Sequence, residues 1–246
     1  MADDKFRKEV TPTARTAFNI GSRLHVEGNV EEAQRICRRA IELAHSSNDP
    51  LDLEAGAKAA FTLGLILDDS SSTSGAYTAY KESLKMGRES GTLEGLETGA
   101  QAAINLAAVA SETMDVKSVT QAYLDALELG RLSKTPVGQE AGATAAFNLG
   151  LLLEDAGDLY RAAQAYRYSM DLGKASETGA GQEASAKAAF GLGLILDRNR
   201  DLDGAAQAYR DSIEFAKLSA TAEGWEAGQK AAYNLKFLAP GDSGGN

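Results

Sequence analysis

The sequence predicts an all-α protein, a solenoid of stacked helix-turn-helix repeats, and three observations predict it. A segment of the form AAFNLGLLL recurs along the chain. Its marker position is held by Phe18, Phe61, Ile104, Phe147, Phe190 and Tyr233, each 43 residues after the last. Within a copy the apolar residues recur at i, i+3, i+4 and i+7, the spacing of a helix buried on one face. The chain has 4 prolines in 246 residues and is rich in Ala and Leu, which favours helix throughout. Residues 140–182 and 183–225 agree at 23 of 43 positions without a gap, so the copies are duplicated units.

Each unit reads as two helices. In 140–156 the buried stripe is Ala143, Ala146, Phe147, Leu149, Gly150 and Leu153. Gly157-Asp158 ends that helix, glycine suiting the left-handed C′ position and aspartate the next N-cap. The second helix, 159–174, buries Ala162, Ala163, Tyr166, Ser169, Met170 and Gly173, and a polar connection of the type SETGAGQ leads onward. Gly142, Ala146 and Gly150 lie four apart, as do Gly56, Ala60 and Gly64, and such a ridge admits a neighbouring helix at about 8 Å. Tyr80, Tyr123, Tyr166 and Tyr209, with Cys37 in the first copy, are the large residues that fill the facing holes, and they are expected in the core.

In chain order, a charged tail (1–10) precedes repeats at 11–53, 54–96, 97–139, 140–182 and 183–225, a half repeat at 226–238 and a flexible tail from 239. Thr11-Pro12 suits the N-cap and first position of the opening helix. Gly28-Asn29 marks its turn, and Glu32 stands three residues on as a capping-box acceptor. The third copy is degenerate, with Ala107 for the glycine and Val119 for an alanine. The last copy carries Lys236 at the glycine position, and Pro240 with GDSGGN stops the chain's final helix.

Composition excludes several functions. With 25 Lys+Arg against 35 Asp+Glu the net charge is −10, a poor start for binding phosphate backbones, so no nucleic-acid partner is expected. One cysteine and two histidines, His25 and His45, build neither a disulfide nor a multi-histidine metal site, and no cofactor is expected. The charged start MADDKFRKEV reads as no signal peptide, and apolar runs such as 59–67 are about half the ~20 residues that span a bilayer. A soluble, cytoplasmic protein is the expectation. There is no P-loop, HExxH, GxSxG or CxxC, and GLGLIL at 191–196 is repeat rather than phosphate loop, so no enzyme is expected.

A Leu-Gly pair, an alanine twelve residues on, an aromatic four further and a small residue three later recur as Leu149-Gly150, Ala162, Tyr166, Ser169. The same pattern is carried by Leu192-Gly193, Ala205, Tyr209, Ser212 and by Leu63-Gly64, Ala76, Tyr80, Ser83. It resembles the tetratricopeptide repeat (TPR), ordinarily of 34 residues. The nine extra residues fall between the second helix and the next first helix, which is similar to the long repeats of kinesin light chains and Pins-type spindle-orientation adaptors. The resemblance implies a right-handed superhelix whose first helices line a concave groove, and a non-catalytic scaffold that binds a peptide or helix of a protein partner.

On the first helices, the position before each Leu-Gly is held by Asn19, Thr62, Asn105, Asn148, Gly191 and Asn234. Asparagine brackets a peptide unit with one acceptor and two donors, so the series is a candidate ladder for an extended chain; the alternative is pairing within the scaffold. Four residues earlier come Arg15, Lys58, Gln101, Thr144, Lys187 and Lys230, partners for carboxylates or, alternatively, for Glu54, Glu183 and Glu226 at i−4. Further along lie His25, Asp68, Asp69, Glu112, Glu154, Asp155 and Asp197, an acidic wall. A chaperone-tail clamp, as in some relatives, is not intact here: Lys58 pairs with Thr62 and Lys187 with Gly191. The competing expectation is self-assembly, as a homodimer or end to end, through Tyr233, Leu235, Phe237 and Leu238 of the half repeat.

Overall fold

The computed structural model describes residues 13–112 and 115–238. Among them lie eleven helices and no strand, so the chain is an all-α helical-repeat solenoid. It divides into two compact units between Gly95 and Leu96. The first holds α1 (Ala14–Val26), α2 (Val30–His45), α3 (Pro50–Asp69) and α4 (Thr73–Ser90). α5 (Leu93–Glu112) starts at the division. The second continues with α6 (Val116–Ser133), α7 (Pro136–Asp155), α8 (Leu159–Ser176), α9 (Gly179–Arg198), α10 (Leu202–Ser219) and α11 (Ala222–Leu238).

Odd-numbered helices open a repeat and even-numbered ones close it. In the second unit α7 packs on α8, α8 on α9, and α9 on α10, and in addition α9 touches both α7 and α11. In the first unit α1 likewise touches α3. Consecutive opening helices are therefore neighbours, and their shared face is available for a site.

Tyrosine set into glycine holds each pair together. Tyr80, Tyr166 and Tyr209 are fully buried. A Cβ on Gly64, Gly150 or Gly193 would stand 2.5, 2.4 or 2.4 Å from the ring of the tyrosine on the closing helix. Only glycine lets these rings lie flat on the opening helix, and burying each contributes roughly 1.5–3 kcal/mol. Phe61, Phe147 and Phe190, half-buried, tilt against the same rings at about 6 Å between centroids. The degenerate third repeat has Ala107 in place of the glycine, and there Tyr123 is only half-buried. In the first copy a smaller pair, Gly21 and Cys37, fills the place, and Cys37 is wholly buried.

The nine additional residues are helix, which corrects the polar connection expected from SETGAGQ. α7 and α9 have 20 residues and α8 and α10 have 18, leaving two-residue links such as Glu177-Thr178. The link has its own device, Ser-x-Thr-x-x-Gly, at Ser90, Ser133, Ser176 and Ser219. Each serine is buried and its hydroxyl donates to the carbonyl three residues back, Gly87, Gly130, Gly173 or Ala216. The middle residue is left-handed: Gly91, Lys134, Glu177 and Ala220 have φ between 53° and 63°. Each threonine hydroxyl then accepts from the N–H of Gly95, Gly138, Gly181 or Gly224. Those glycines sit against the serine hydroxyl, where a Cβ would come within 2.2 Å or less. This packing, rather than flexibility, explains glycine near a helix start. The lengthened helices also approach backbone to backbone: a Cβ on Gly130 would lie 2.4 Å from the Gly138 carbonyl oxygen, and one on Gly173 only 2.1 Å from that of Gly181.

The turns within repeats follow expectation at Gly157 (φ 80°) and Asp158, whose carboxylate accepts from Arg161 N–H at 3.1 Å. They depart from it at the first copy. Asn29 makes no side-chain cap, and the Glu32 carboxylate expected to complete a capping box is taken by Arg35 (Nε–Oε2 2.8 Å). A charge-assisted bidentate pair outcompetes a bond to one backbone N–H. The opening helix is instead capped by Thr13, which forms a capping box with Thr16. Thr11, Pro12, Pro240 and the GDSGGN tail lie outside the described residues.

Candidate functional site

Two recesses occupy equivalent places between consecutive opening helices, one in each unit. In the first unit, α1 contributes Arg15, Phe18 and Asn19 and α3 contributes Leu51, Glu54 and Lys58, around about 200 Å³. In the second, α7, α9 and α11 surround about 360 Å³, with Tyr166 of α8 behind them. Ligand pockets start at ~300 Å³, so only the second reaches that range.

In the recess of the second unit the asparagine series is interrupted by Gly191. Asn234 Nδ2 donates to the Tyr209 hydroxyl (3.4 Å), and Asn148 stands by Tyr123 at the equivalent place. Each asparagine stands 25 residues after its tyrosine, on the opening helix of the next repeat. Gly191 offers no side chain, and a Cβ there would fall 2.8 Å from Cε2 of Tyr166. The Tyr166 hydroxyl turns instead to Glu154 Oε2, at 2.7 Å. Burial pushes the Tyr166 phenol well above the ordinary tyrosine range, and the Glu154 carboxylate pushes it further. Burial also raises Tyr209 and Tyr123, with the asparagine bond opposing it in each.

Above Gly191 and Tyr166 stand Phe147 and Phe190, with Leu151 and Leu194 on the rim, 43% and 38% exposed. Glu154, Asp155 and Glu223 add carboxylates, and Lys187 and Lys230 add ammonium groups. The lysines are already engaged, Lys187 by Glu183 and Lys230 by Glu226 at 2.7 Å. Lys230 holds the Glu226 carboxyl below its ordinary 4.5, chiefly by its hydrogen bond, with Lys187 adding its charge. Glu154, Asp155 and Glu223 have no ion-pair partner among the described residues.

The first unit's recess is smaller, and its cations are engaged in ion pairs. Arg15 reaches across from α1 to Asp52 (3.2 Å) and Asp49 (3.4 Å). Lys58 bridges Glu54 (2.8 Å) and Glu94 (2.5 Å), and the Thr92 hydroxyl donates to Glu54 at 2.7 Å. Asn19 is exposed beside it.

The predicted residues thus separate. Arg15, Asn19 and Lys58 line one recess and Lys187 and Lys230 the other, while Asn234 reaches Tyr209 and Asn148 stands by Tyr123. Asn105 and Gln101 are half-buried on α5. In the half repeat Tyr233 and Phe237 are 64% and 71% exposed, with rings 4.8 Å apart, whereas Leu235 and Leu238 pack onto the Tyr209 cluster. Leu151, Leu194 and Gly191 were missed as site residues; the interruption of an asparagine series by glycine was their signal. Among the described residues no His, Cys, Asp and Glu cluster fits a metal ion, and no helix is long and apolar enough to cross a membrane.

Among solved structures, the chain is similar to the apo form of RapI (TM-score 0.52, 14% identity, 91% of this chain and 83% of that one). It is also similar to YrrB, described as a TPR protein with an unusual peptide-binding site (TM-score 0.50, 17% identity, 88% and 92%). PilF of Pseudomonas aeruginosa matches at a TM-score of 0.50 with 19% identity over 93% of each chain. No protein-family profile and no curated protein matches. The likenesses show the fold, which is that of tetratricopeptide repeats.

Proposed function

We propose that this chain is a non-catalytic scaffold that binds a segment of a partner protein on the face formed by consecutive opening helices. The observation that carries the reading is the recess of the second unit, open between α7, α9 and α11 and rimmed by solvent-exposed leucines. Apolar surface beside unpaired carboxylates is a surface for a partner rather than for water. The likeness to YrrB, a TPR protein with a peptide-binding site, points the same way. Asn234 already reaches Tyr209, and the exposed leucines around the recess favour the rim over the asparagine series as the binding face.

The test is selection of a random twelve-residue peptide library on the full chain. Enriched peptides are then measured by fluorescence anisotropy on Leu151→Arg and Leu194→Arg, and on Gln164→Arg, an exposed position of α8. Binding lost in both leucine variants and kept in Gln164→Arg is the expected result. Binding indifferent to the leucine variants, or absent altogether, overturns the reading.

A further inference from the structure

We infer that the recess of the second unit selects a partner segment carrying a large apolar side chain with a lysine or arginine close beside it. The inference rests on the scaffold reading above and specifies its ligand. Three observations carry it. The first is room: where other opening helices of this unit carry Asn148 and Asn234, Gly191 projects no side chain into the cavity, and its bare backbone rests on the buried Tyr166 ring. A side chain entering there meets Phe147, Phe190, Leu151 and Leu194, which is the lining of an aromatic or branched aliphatic anchor.

The second is charge. Six charged side chains line the recess, four carboxylates and two ammonium groups. Lys230 is paired with Glu226 and Lys187 with Glu183, so Glu154, Asp155 and Glu223 have no ion-pair partner among the described residues. A cationic neighbour of the anchor finds them at the rim, and an acidic one meets like charge. The third is the fixed orientation of Glu154. Its Oε2 is held at 2.7 Å by the Tyr166 hydroxyl, so one carboxylate is oriented before a ligand arrives.

The experiment reads the sequences of the selected peptides and their response to a charge exchange. The expected result is a shared large apolar residue with Lys or Arg within about three positions. Asp155→Lys, at an exposed residue, should then weaken those peptides about tenfold. Exchanging the peptide's basic residue for Glu should restore binding to Asp155→Lys while abolishing it on the natural chain. Peptides that require Leu151 and Leu194 yet carry no such pair, or that prefer acidic residues, overturn this inference and leave the scaffold reading standing. Peptides that ignore Leu151 and Leu194 overturn both. Circular dichroism of each variant, with helicity equal to the natural chain, separates a lost contact from a lost fold.

Discussion

The two units make the same repeat by different means. The unit from Thr13 to Gly95 has one tyrosine seated on glycine, Tyr80 on Gly64, and its other copy makes do with Cys37 on Gly21. Its turns carry Asn29 and Ser72 at the N-cap, neither with a side-chain cap. What it has instead is an ion network across its opening helices, from Arg15 to Asp52 and from Lys58 to Glu94. The unit from Leu96 to Leu238 seats Tyr166 and Tyr209 on glycine, though not Tyr123, caps its turns with Asp115, Asp158 and Asp201, and leaves three carboxylates of its recess without an ion pair among the described residues. The lesson is that the polar groups able to engage a partner are spent internally where packing and capping are weaker. Some of them, Glu154, Asp155 and Glu223, stay available where two seated tyrosines and three aspartate caps hold the turns.

The strongest way to break this comparison is Tyr80→Ala. Removing a buried ring of this size costs about 3–5 kcal/mol, and the first unit has no second seated tyrosine among its described residues to share the loss. Two single residues report the units separately: Cys37, whose thiol burial pushes up to about 11 and so keeps unreactive, and Trp225 on α11. In urea, thiol alkylation of the Tyr80→Ala chain should begin well before the Trp225 fluorescence changes. Coincident transitions would show that the units do not unfold independently.

A smaller effect is expected from Lys58→Met. Lys58 and Glu54 are only 28% and 14% exposed, so losing this cation should cost the first unit about 1 kcal/mol, more than losing the solvent-screened pair of Lys230. Lys58 also holds the Glu94 carboxyl below its ordinary 4.5. The native state therefore binds that proton less readily than the unfolded chain, and the stabilisation is complete above pH 4.5 and fades as the pH falls below it. Urea midpoints followed from pH 6 to pH 3 should fall less steeply in the variant. An unchanged slope would remove the ion network from the account.

The smallest effect sharpens the contrast at the turns. Asp158→Ala loses a cap bond and should cost roughly 0.5–2 kcal/mol, whereas Asn29→Ala, with no cap bond to lose, should stay within about 0.3 kcal/mol. Equal losses, read from thermal midpoints, would show that the capping difference does not exist in solution.

Much of this fold could be read from the residues. The period fixed the helix pairs, the Leu-Gly and tyrosine positions gave the core, and Gly157-Asp158 gave the turn. The connection was misread because glycines at 179 and 181 lower helix propensity, and nothing local reveals that Ser176 needs Gly181 to be bare. The Asn29 capping box failed because Arg35 competes for Glu32, a choice that depends on side-chain geometry. At the site, the i, i+4 pairs of Lys58, Lys187 and Lys230 were legible and are formed. The asparagine–tyrosine pairing was not, since its partners are separated by a whole turn of the repeat and meet only after stacking.

The Ser-x-Thr-x-x-Gly link has a consequence for how the chain can change its length. The residues that close the joint lie within it or in the turn just before it, and the joint recurs at a fixed interval of 43 residues. A genetic crossover between two joints, one that deletes 136–178 for example, brings Ser133 and Thr135 up to Gly181 and leaves a complete joint at the seam. Copy number can thus rise or fall by whole repeats with no linker to repair, while the exceptional positions, Gly191 among them, travel intact with the copy that carries them.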